Sequence, residues 1–451
     1  MYLLYSLLLT VGFLALLPWF AIDAFRTRKY ITGLSQRLGK LPAIASADLP
    51  LIWLHCVSVG ETEAARPLVR ALLDRFPSYR LVISTTTVTG QKIAKDAFGR
   101  EAAAVFYFPI DWAWTVRRVL GTLQPAAVLI METEVWPHLL RECRRRAIPV
   151  ALINGRISLK SFGRYRMIRS FIRRVLDDFS IALMQSEQDA ARIRELGMPL
   201  ERILMPGNLK FDSAESSSDQ TVTASLRDRF GFDQSARLIV AASTHDPEEQ
   251  VVIDAFKQIK NSQPPCRPRL LIAPRHPERF GEVASLLQAS GLTWSRRSAT
   301  VQDEDRDCEV ILLDTIGELR AAYPLADIAF VGGSIAPHGG HNTLEPAARG
   351  ICVVTGPHTH NFAAITKAML DEDAIVQLPK FATSAELAKT LHDLLSNDSL
   401  RRDIGQRASL VCDRNRGATE QTLQMIARLL DARKTVGDPI SLPELSITAA
   451  K

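Results

Sequence analysis

The sequence predicts two doubly wound α/β domains that face a cleft, with a membrane-anchor helix in front of them. The chain of 451 residues is too long for one ordinary hydrophobic core and suits two. From residue 50 onward, short apolar runs alternate with longer amphipathic stretches, and this alternation stops at polar residues 213–225 and then restarts. Nearly continuous apolar strands are typical of parallel sheets that helices cover on both faces, and such sheets bind ligands beyond the carboxyl ends of their strands.

The first element is the apolar N-terminal segment. Residues 1–22 contain no charged side chain, and as a helix they would extend ~33 Å, enough to cross a hydrocarbon layer of ~30 Å. The cations Arg26, Arg28 and Lys29 follow the segment, which favours an uncleaved anchor with the remaining chain in the cytoplasm. The alternative is a helix that lies on the membrane surface, because Pro18 could kink it and Trp19 is typical of the interface.

The remaining elements follow from the alternation itself. Thirteen runs have the composition of buried strands: 51–57, 81–87, 104–108, 126–131, 149–154, 181–185 and 203–205 before the polar break, then 238–242, 270–273, 310–314, 328–331, 352–354 and 375–378. Amphipathic helices are expected between most of them and over 399–434. The predicted boundaries are the anchor at 1–25, the first domain at 40–212, a linker at 213–235, the second domain at 236–434 and a tail at 435–451.

Composition narrows the class of protein. Hydrophobic residues make up 47% and charged residues 23%, the balance of a globular chain and not of a disordered or polytopic one. The net charge of +6 comes from the first half, which suits an anionic membrane surface or a phosphorylated substrate. Nucleic acid is not expected as a partner, because no aromatic stacking platform or nucleic-acid-binding motif accompanies the basic residues. No two of the six cysteines are closer than 42 residues, which predicts reduced thiols and no zinc site.

Two carboxylate motifs end strands of the first domain. Glu61 opens a helix after the small-residue loop that follows the first strand, where it could act as a general base or merely complement the helix dipole. Glu132 and Glu134 follow a later strand, and because side chains alternate along an extended backbone only one of them can face the cleft. A structural ion pair is the main alternative for them.

A lysine ends the first domain. Lys210 lies in the motif GNLKFD just before the predicted linker, where a compact positive charge could hold a phosphate or carboxylate. A surface lysine would have the same local composition. The run between Arg141 and Arg174 adds eleven basic residues and one acidic residue, and it predicts either a solvated surface or a surface that binds anionic lipid.

Four loops of the second domain together predict a nucleotide pocket. Neither a GxGxxG nor a GxxxxGK[ST] motif occurs, which argues against dinucleotide oxidoreductases and P-loop enzymes. Glycines, helix N-termini and basic side chains instead follow the strands, where they could bind a phosphate and a ribose. These loops hold Ser243-Thr244-His245, Arg275 with His276, Ile316-Gly317-Glu318, and Asn342-Thr343-Leu344-Glu345.

No metal or other cofactor is expected. The sequence DED at 303–305 and 371–373 is interpreted as solvated surface charge. The histidines at 338, 341, 358 and 360 have no accompanying carboxylate triad or zinc-helix spacing.

Taken together, the motifs resemble those of the Kdo (3-deoxy-D-manno-octulosonic acid) transferases of lipopolysaccharide biosynthesis. The resemblance runs from the N-terminal segment to about residue 430. It departs at Val135 and His138, where the family more often has Leu and Asn. The matching motifs, in order, are SVGE, METEVWP, NGRIS with Ser161 and Tyr165 downstream, GNLKFD, STH, PRHPERF, DTIGEL, FVGGS and GGHNTLEPAA.

The resemblance implies a GT-B glycosyltransferase that moves Kdo from CMP-Kdo onto a lipid A precursor, lipid IVA, at the cytoplasmic face of the inner membrane. It implies an acceptor-binding first domain, a CMP-Kdo-binding second domain and no metal. By motif, Glu61 would be the base, and Glu132 and Lys210 would stabilise the transition state. The residues that would hold CMP are Arg275, His276, Ile316, Gly317, Glu318, Asn342, Thr343, Leu344 and Glu345.

Two alternatives remain open from the residues alone. Another enzyme of the same fold that uses a UDP-sugar, a transferase or an epimerase, would bind UDP in preference to CMP. A membrane-tethered nucleotide-binding scaffold would bind a ligand without turnover.

Overall fold

The computed structural model describes residues 1–26, 32–44, 49–212, 220–232 and 236–434. The chain folds into two compact units. The first unit comprises Met1–Ser213 together with Arg416–Lys451, and the second comprises Ala214–Asn415.

The first unit is built on a parallel sheet of seven strands in the order β3-β2-β1-β4-β5-β6-β7. Each strand lies where the apolar pattern predicts it. The strands are β1 Leu51–His55, β2 Arg80–Thr85, β3 Ala104–Tyr107, β4 Ala127–Met131, β5 Val150–Gly155, β6 Ile181–Met184 and β7 Ile203–Leu204. Each residue of β4 and β5 is buried, because separate hydrophobic clusters cover the two faces of the sheet.

Helices of the first unit connect and cover these strands. Side chains of Ser58, Thr87, Ser158 and Ser186 accept hydrogen bonds from backbone N–H groups in the first turns of four of them, which fixes where those helices begin. The helices are α1 Tyr2–Arg26, α2 Leu34–Arg37, α3 Val59–Ala64, α4 Arg66–Arg75, α5 Val88–Phe98, α6 Ala113–Leu123, α7 Pro137–Arg145, α8 Leu159–Met167, α9 Arg169–Leu176, α10 Glu187–Leu196 and α11 Leu209–Asp212.

The second unit has a parallel sheet of its own, in the order β10-β11-β9-β8-β12-β13-β14. The apolar pattern predicts six of its strands, and the missed one is the edge strand β10, whose three residues Trp-Ser-Arg are too short and polar to signal a strand. The strands are β8 Ala236–Thr244, β9 Arg267–Pro274, β10 Trp294–Arg296, β11 Val310–Leu312, β12 Ile328–Val331, β13 Cys352–Thr355 and β14 Val376–Gln377.

Eight helices described in this unit cover its sheet. They are α12 Gln220–Phe230, α13 Glu248–Asn261, α14 Phe280–Ser290, α15 Leu319–Ala322, α16 Leu344–Ala347, α17 Ala363–Asp371, α18 Ser384–Ser396 and α19 Asp398–Arg414. The first of them lies inside the expected linker. Leu226 and Phe230 of α12 are fully buried in the hydrophobic cluster on one face of the sheet, so this part of the linker is a structural helix.

The last helix, α20 (Ala418–Lys434), belongs to the first unit, although the expected boundary placed it in the second. Its apolar side chains Leu423, Ile426, Leu429 and Leu430 are buried in the cluster that covers one face of the first sheet. The Asp212 carboxylate accepts hydrogen bonds from the backbone N–H groups of Gly417 and Thr419, at 2.9 and 2.6 Å. Amphipathic spacing predicts a buried face, but it does not say which core the face covers.

The N-terminal segment forms helix α1 as predicted, but the predicted spanning anchor is not supported. Among the described residues, none of the helices combines the length and apolar character that crossing a membrane requires. One side of α1 contacts the first unit instead. The hydroxyl groups of Tyr2 and Tyr5 donate to Asp178 and Asp111, and the hydroxyl of Ser6 lies 2.7 Å from Nε2 of His138.

Candidate functional site

Glu61 lies in the first turn of α3, directly beyond the carboxyl end of β1. The loop Cys56–Ser58 turns the chain into the helix, and the Ser58 side chain accepts a hydrogen bond from the Glu61 backbone. The Glu61 carboxylate in turn accepts the Val57 N–H at 2.7 Å and the Ser58 hydroxyl at 3.0 Å. These contacts hold a carboxylate in place at the edge of the sheet where ligands bind in such folds.

The pKa of Glu61 is raised to about 8. Burial is the main cause, since only 7% of the residue is exposed, and the neighbouring charge of Glu132 is the second. The hydrogen bond from Val57 opposes the shift. A carboxyl group with a pKa near neutral can both release and take up a proton under working conditions, which is the property of a general base.

Glu132 and Lys210 form an ion pair near this carboxyl group. Lys210 Nζ lies 3.1 Å from Glu132 Oε1, and both side chains are largely buried. Glu132 has a φ of 55°, a left-handed conformation that is uncommon outside glycine and that turns the chain sharply after β4. Glu132 therefore interacts electrostatically with both of the other residues that separate motifs predicted, Lys210 and Glu61.

A hydrogen-bond network fixes the backbone that carries Lys210. Asn154, at the end of β5, accepts the Leu209 N–H at 3.0 Å through Oδ1. Asn208 accepts the Lys210 N–H at 3.0 Å and donates to the side chain of Gln185 at 3.0 Å. These amide side chains satisfy backbone groups of a tight turn, so Lys210 is oriented by its surroundings.

Glu132 and Glu134 differ in their partners. Glu132 is the carboxylate that pairs with Lys210, and its charge is the larger of the two effects on the pKa of Glu61. The pKa of Glu134 is raised to about 7 by burial and by Glu132. Glu134 in turn contributes to the raised pKa of Tyr165, a residue of the matching motifs. Sequence reasoning singled out neither the raised pKa of Glu134 nor this contact.

These raised pKa values give the stability of the first unit a defined pH dependence. The folded state holds a proton on Glu61 between pH 4.5 and about 8 that the unfolded state releases, so stability falls as pH rises through this window. The free energy of unfolding of Glu61→Gln minus that of wild type is therefore expected to increase by about 4 kcal/mol between pH 5 and pH 9. Urea unfolding across this range measures the difference. Glu63→Gln is the control because Glu63 is half-exposed and paired with Arg66, and a pH-independent difference for Glu61→Gln would contradict the shift.

In the second unit, two of the predicted carboxylates are held by arginines. Arg320 donates to Glu345 Oε1 at 3.0 and 2.8 Å, and Asn342 donates to the same oxygen at 3.2 Å. Glu318 pairs with Arg297 at 2.9 Å and accepts the Thr315 hydroxyl at 2.6 Å. Both loops are thereby fixed at the carboxyl ends of β11 and β12.

The other predicted residues of this unit fall into exposed and buried groups. Arg275 and His276 are exposed directly after β9, and Ile316 is 83% exposed beside Gly317, which has a φ of 90°. The remaining two, Thr343 and Leu344, are buried at the start of α16. The exposed members can contact a ligand through their side chains, whereas the buried ones can shape the loop.

Sequence reasoning missed Glu248, which lies fully buried at the start of α13. Its carboxylate accepts five backbone N–H groups at 2.7–3.2 Å, those of His245, Gly333, Ser334, Ile335 and Ala336. The adjacent Glu249 is also fully buried and pairs with Arg279 at 3.1 Å. In the sequence both resemble ordinary acidic residues in a first helical turn, and only their burial distinguishes them.

Across the part of the chain that the structure describes, no group of three or more His, Cys, Asp or Glu side chains is arranged to hold a metal ion. Asp305, expected to be solvated, is buried and pairs with Arg229 at 2.8 Å.

Comparison with known proteins identifies relatives of the whole chain. A family model described as 3-deoxy-D-manno-octulosonic-acid transferase (kdotransferase) matches residues 32–213. A 3-deoxy-D-manno-octulosonic acid transferase of Haemophilus influenzae is 32% identical, over 95% of this chain and 98% of the relative. The same enzyme of Bordetella pertussis is 34% identical, over 86% of this chain and 90% of the relative.

Solved structures with little sequence identity share the fold. A UDP-GlcNAc 2-epimerase from Neisseria meningitidis has a TM-score of 0.58 at 11% identity and covers 84% of this chain and 100% of its own. A glycosyltransferase from Rickettsia africae has a TM-score of 0.56 at 12% identity and covers 85% of this chain and 99% of its own. These likenesses confirm the predicted pair of parallel-sheet α/β domains.

Proposed function

Because this chain belongs to the Kdo transferases, which are glycosyltransferases, we propose that it moves Kdo from CMP-Kdo onto a lipid A precursor such as lipid IVA, with Glu61 as the general base. The observation that carries this proposal is the buried Glu61 carboxyl group, whose pKa is raised to about 8 next to the ion pair of Glu132 and Lys210.

The proposed step needs one base and no redox chemistry. A hydroxyl oxygen of the acceptor forms a bond to the anomeric carbon of Kdo, and the bond from that carbon to the phosphate oxygen breaks. CMP leaves with the bonding electrons, and Glu61 takes the proton of the hydroxyl group. Its raised pKa matches this task, because a base with a pKa near the working pH accepts a proton readily.

The ion pair would act on charge that develops during the step. As the bond to CMP breaks, positive charge grows on the sugar ring and negative charge grows on the leaving phosphate. Fixed charges in a partly buried site stabilise such a transition state because they need not reorganise during the reaction. We assign this stabilising role to Glu132 and Lys210.

We assign donor binding to the loops of the second unit. Arg275 and His276 are exposed cationic or hydrogen-bonding groups suited to a phosphate. Among the described contacts of Glu345, the hydrogen bonds from Arg320 and Asn342 go to Oε1, which leaves Oε2 for a ribose hydroxyl. The loops 316–318 and 342–345 would enclose the rest of CMP. No metal is needed where these side chains hold the phosphate.

We also propose that the first unit binds the surface of the inner membrane from the cytoplasmic side. Helix α1 exposes a series of apolar side chains: Leu3, Leu4, Leu7, Leu8, Val11, Leu14, Leu16 and Leu17. Helix α8 exposes Leu159 and Met167, and Ile168 is exposed between α8 and α9; basic residues surround all three in the sequence. Apolar side chains bordered by cations are suited to anionic phospholipid. Arg141 and Arg144 contribute less, because both pair with the buried Asp178.

Negative charges introduced into the apolar surface of α1 should weaken the binding of the protein to lipid. We expect Leu7→Asp combined with Leu8→Asp to lower binding to phosphatidylglycerol-containing vesicles by at least about 10-fold, since each leucine loses about 1.5–3 kcal/mol of burial. Sedimentation with vesicles measures the change. The matched control is Leu400→Asp with Leu410→Asp, which alters two exposed leucines of α19. Equal binding by both variants would contradict the proposed surface.

A transfer assay tests the function directly. The purified protein is incubated with CMP-Kdo generated in situ and with a tetraacylated lipid A precursor, and mass spectrometry measures the mass of the product. A gain of one or more Kdo masses supports the proposal and counts the sugars added. A folded protein that binds UDP more tightly than CMP and transfers no Kdo would overturn it.

A further inference from the structure

Four histidines gather at the carboxyl ends of three neighbouring strands in the second unit. His245 directly follows β8, His276 follows β9, and His338 and His341 follow β12. The His245 ring stacks on His338 with centroids 4.2 Å apart, lies parallel to the His341 ring with centroids 5.0 Å apart, and meets the edge of His276 at 5.1 Å. His245 and His341 are the more buried members, whereas His276 and His338 are exposed.

Two devices hold this cluster together. The Glu248 carboxylate binds the backbone of His245 and of the Gly333–Ala336 loop at once, and so ties the β8 loop to the β12 loop. Gly333 has a φ of 65°, and a Cβ there would lie 2.8 Å from the His341 ring. Glycine therefore permits the close approach of His341 to this loop.

The cluster contains a hydrogen bond between two imidazoles. Nε2 of His245 lies 2.7 Å from Nε2 of His341, so one ring donates the proton and the other accepts it. With both rings neutral, only one of their two Nδ1 atoms carries a proton. One added proton converts the pair into a cation in which both Nδ1 atoms are donors.

The surroundings oppose that cation unless an anion is present. The pKa of His245 is lowered to about 4 and that of His341 to about 3, mainly by burial and then by nearby positive groups. These groups include His338, His276, Arg275 and Arg279. The acidic neighbours are already engaged, because Glu248 binds backbone N–H groups and Asp246 and Glu249 pair with Arg279.

We infer that the His245–His341 pair is the subsite for an oxyanion of the donor substrate, and that this oxyanion binds together with a proton. This inference rests on the proposed function, because a nucleotide-activated sugar acid has two such groups, the phosphate and the sugar carboxylate. Either one would supply the negative charge that the cationic pair needs. His276 and Arg275 at the mouth of the cluster would bind another part of the same ligand.

Calorimetry of the full chain with CMP and with cytidine tests the phosphate. Titrations at pH 7.5, where the CMP phosphate is mostly dianionic, in buffers of different ionisation enthalpy measure proton uptake by the protein. If the phosphate binds the His245–His341 pair, the protein takes up a fraction of a proton when CMP binds and none when cytidine binds. His341→Gln then weakens CMP binding about 10-fold, abolishes the uptake and leaves cytidine binding unchanged. The control is His392→Gln on α18, where Nδ1 of the ring lies 3.0 Å from the Ser262 hydroxyl.

Transfer kinetics test the carboxylate. If this group binds the pair, His341→Gln binds CMP like wild type but needs about 10-fold more CMP-Kdo for half-maximal transfer. Unchanged cytidine binding and an unchanged Tm show that the variant is folded. Wild-type behaviour of His341→Gln in both experiments overturns the subsite and leaves the proposed function standing. A wild-type protein that binds no CMP overturns both.

Discussion

Replacing Glu61 by glutamine is expected to lower kcat for Kdo transfer by about 10²- to 10⁴-fold, the range that a positioned general base contributes. Glutamine has nearly the same shape: its side-chain oxygen can accept the Val57 N–H, and its amide NH2 can donate to the Ser58 hydroxyl, so the loop should keep its geometry. It cannot take a proton from the acceptor. CMP binding by the second unit should be unchanged.

The pH profile adds a second readout for the same residue. Because the pKa of Glu61 is raised to about 8, the base is mostly protonated at neutral pH, and kcat/KM of wild type should rise with pH up to about 8. Glu134, whose pKa is about 7, titrates in the same range. The rise of kcat/KM with pH therefore reports the coupled titration of Glu61 and Glu134. Glu63→Gln should keep both the rate and the profile. A Glu61→Gln enzyme with near wild-type kcat would exclude this residue as the base.

Replacing Lys210 by methionine is expected to lower kcat by about 10²- to 10³-fold, comparable to the loss of one preorganised electrostatic contact in other active sites. The methionine fills similar volume, but it leaves the carboxylate of Glu132 buried without its ion pair. The variant should therefore also be less stable by about 3–5 kcal/mol, as for other broken buried pairs. Lys92→Met, at an exposed position of α5, is the matched control.

The double variant separates a catalytic ion pair from a structural one. Lys210→Met combined with Glu132→Gln removes both charges, so no uncompensated carboxylate remains and much of the lost stability should return. Activity should stay low, because the transition state still lacks its fixed charges. Recovery of activity together with stability would show that the pair serves only the fold.

The order of strands along the chain followed from local sequence. Runs such as 126–131 and 149–154 are apolar throughout, and a strand buried on both faces needs this composition. The edge strand Trp294–Arg296 was not predicted because it is short and partly exposed. Helix α20 was predicted to be amphipathic, but its packing against the first unit depends on which core has an uncovered apolar face.

The motifs pointed to the candidate site residues, but they did not predict how these residues interact. Sequence position placed Glu61 and Glu132 at strand ends, where side chains of parallel sheets meet, and Lys210 at the end of the first domain. Only the fold shows that Lys210 pairs with Glu132 and not with Glu134, because the left-handed turn at Glu132 sets the direction of its side chain.

The sequence by itself determined the family, the two parallel α/β sheets and the strand ends that carry polar residues, since these depend on composition, spacing and motif. The tertiary structure decided the pKa values of Glu61 and Glu134, the role of the buried Glu248 and the pairing of His245 with His341. The physical reason is that burial and the distance between charges set these properties, and both arise from contacts between residues far apart in the chain.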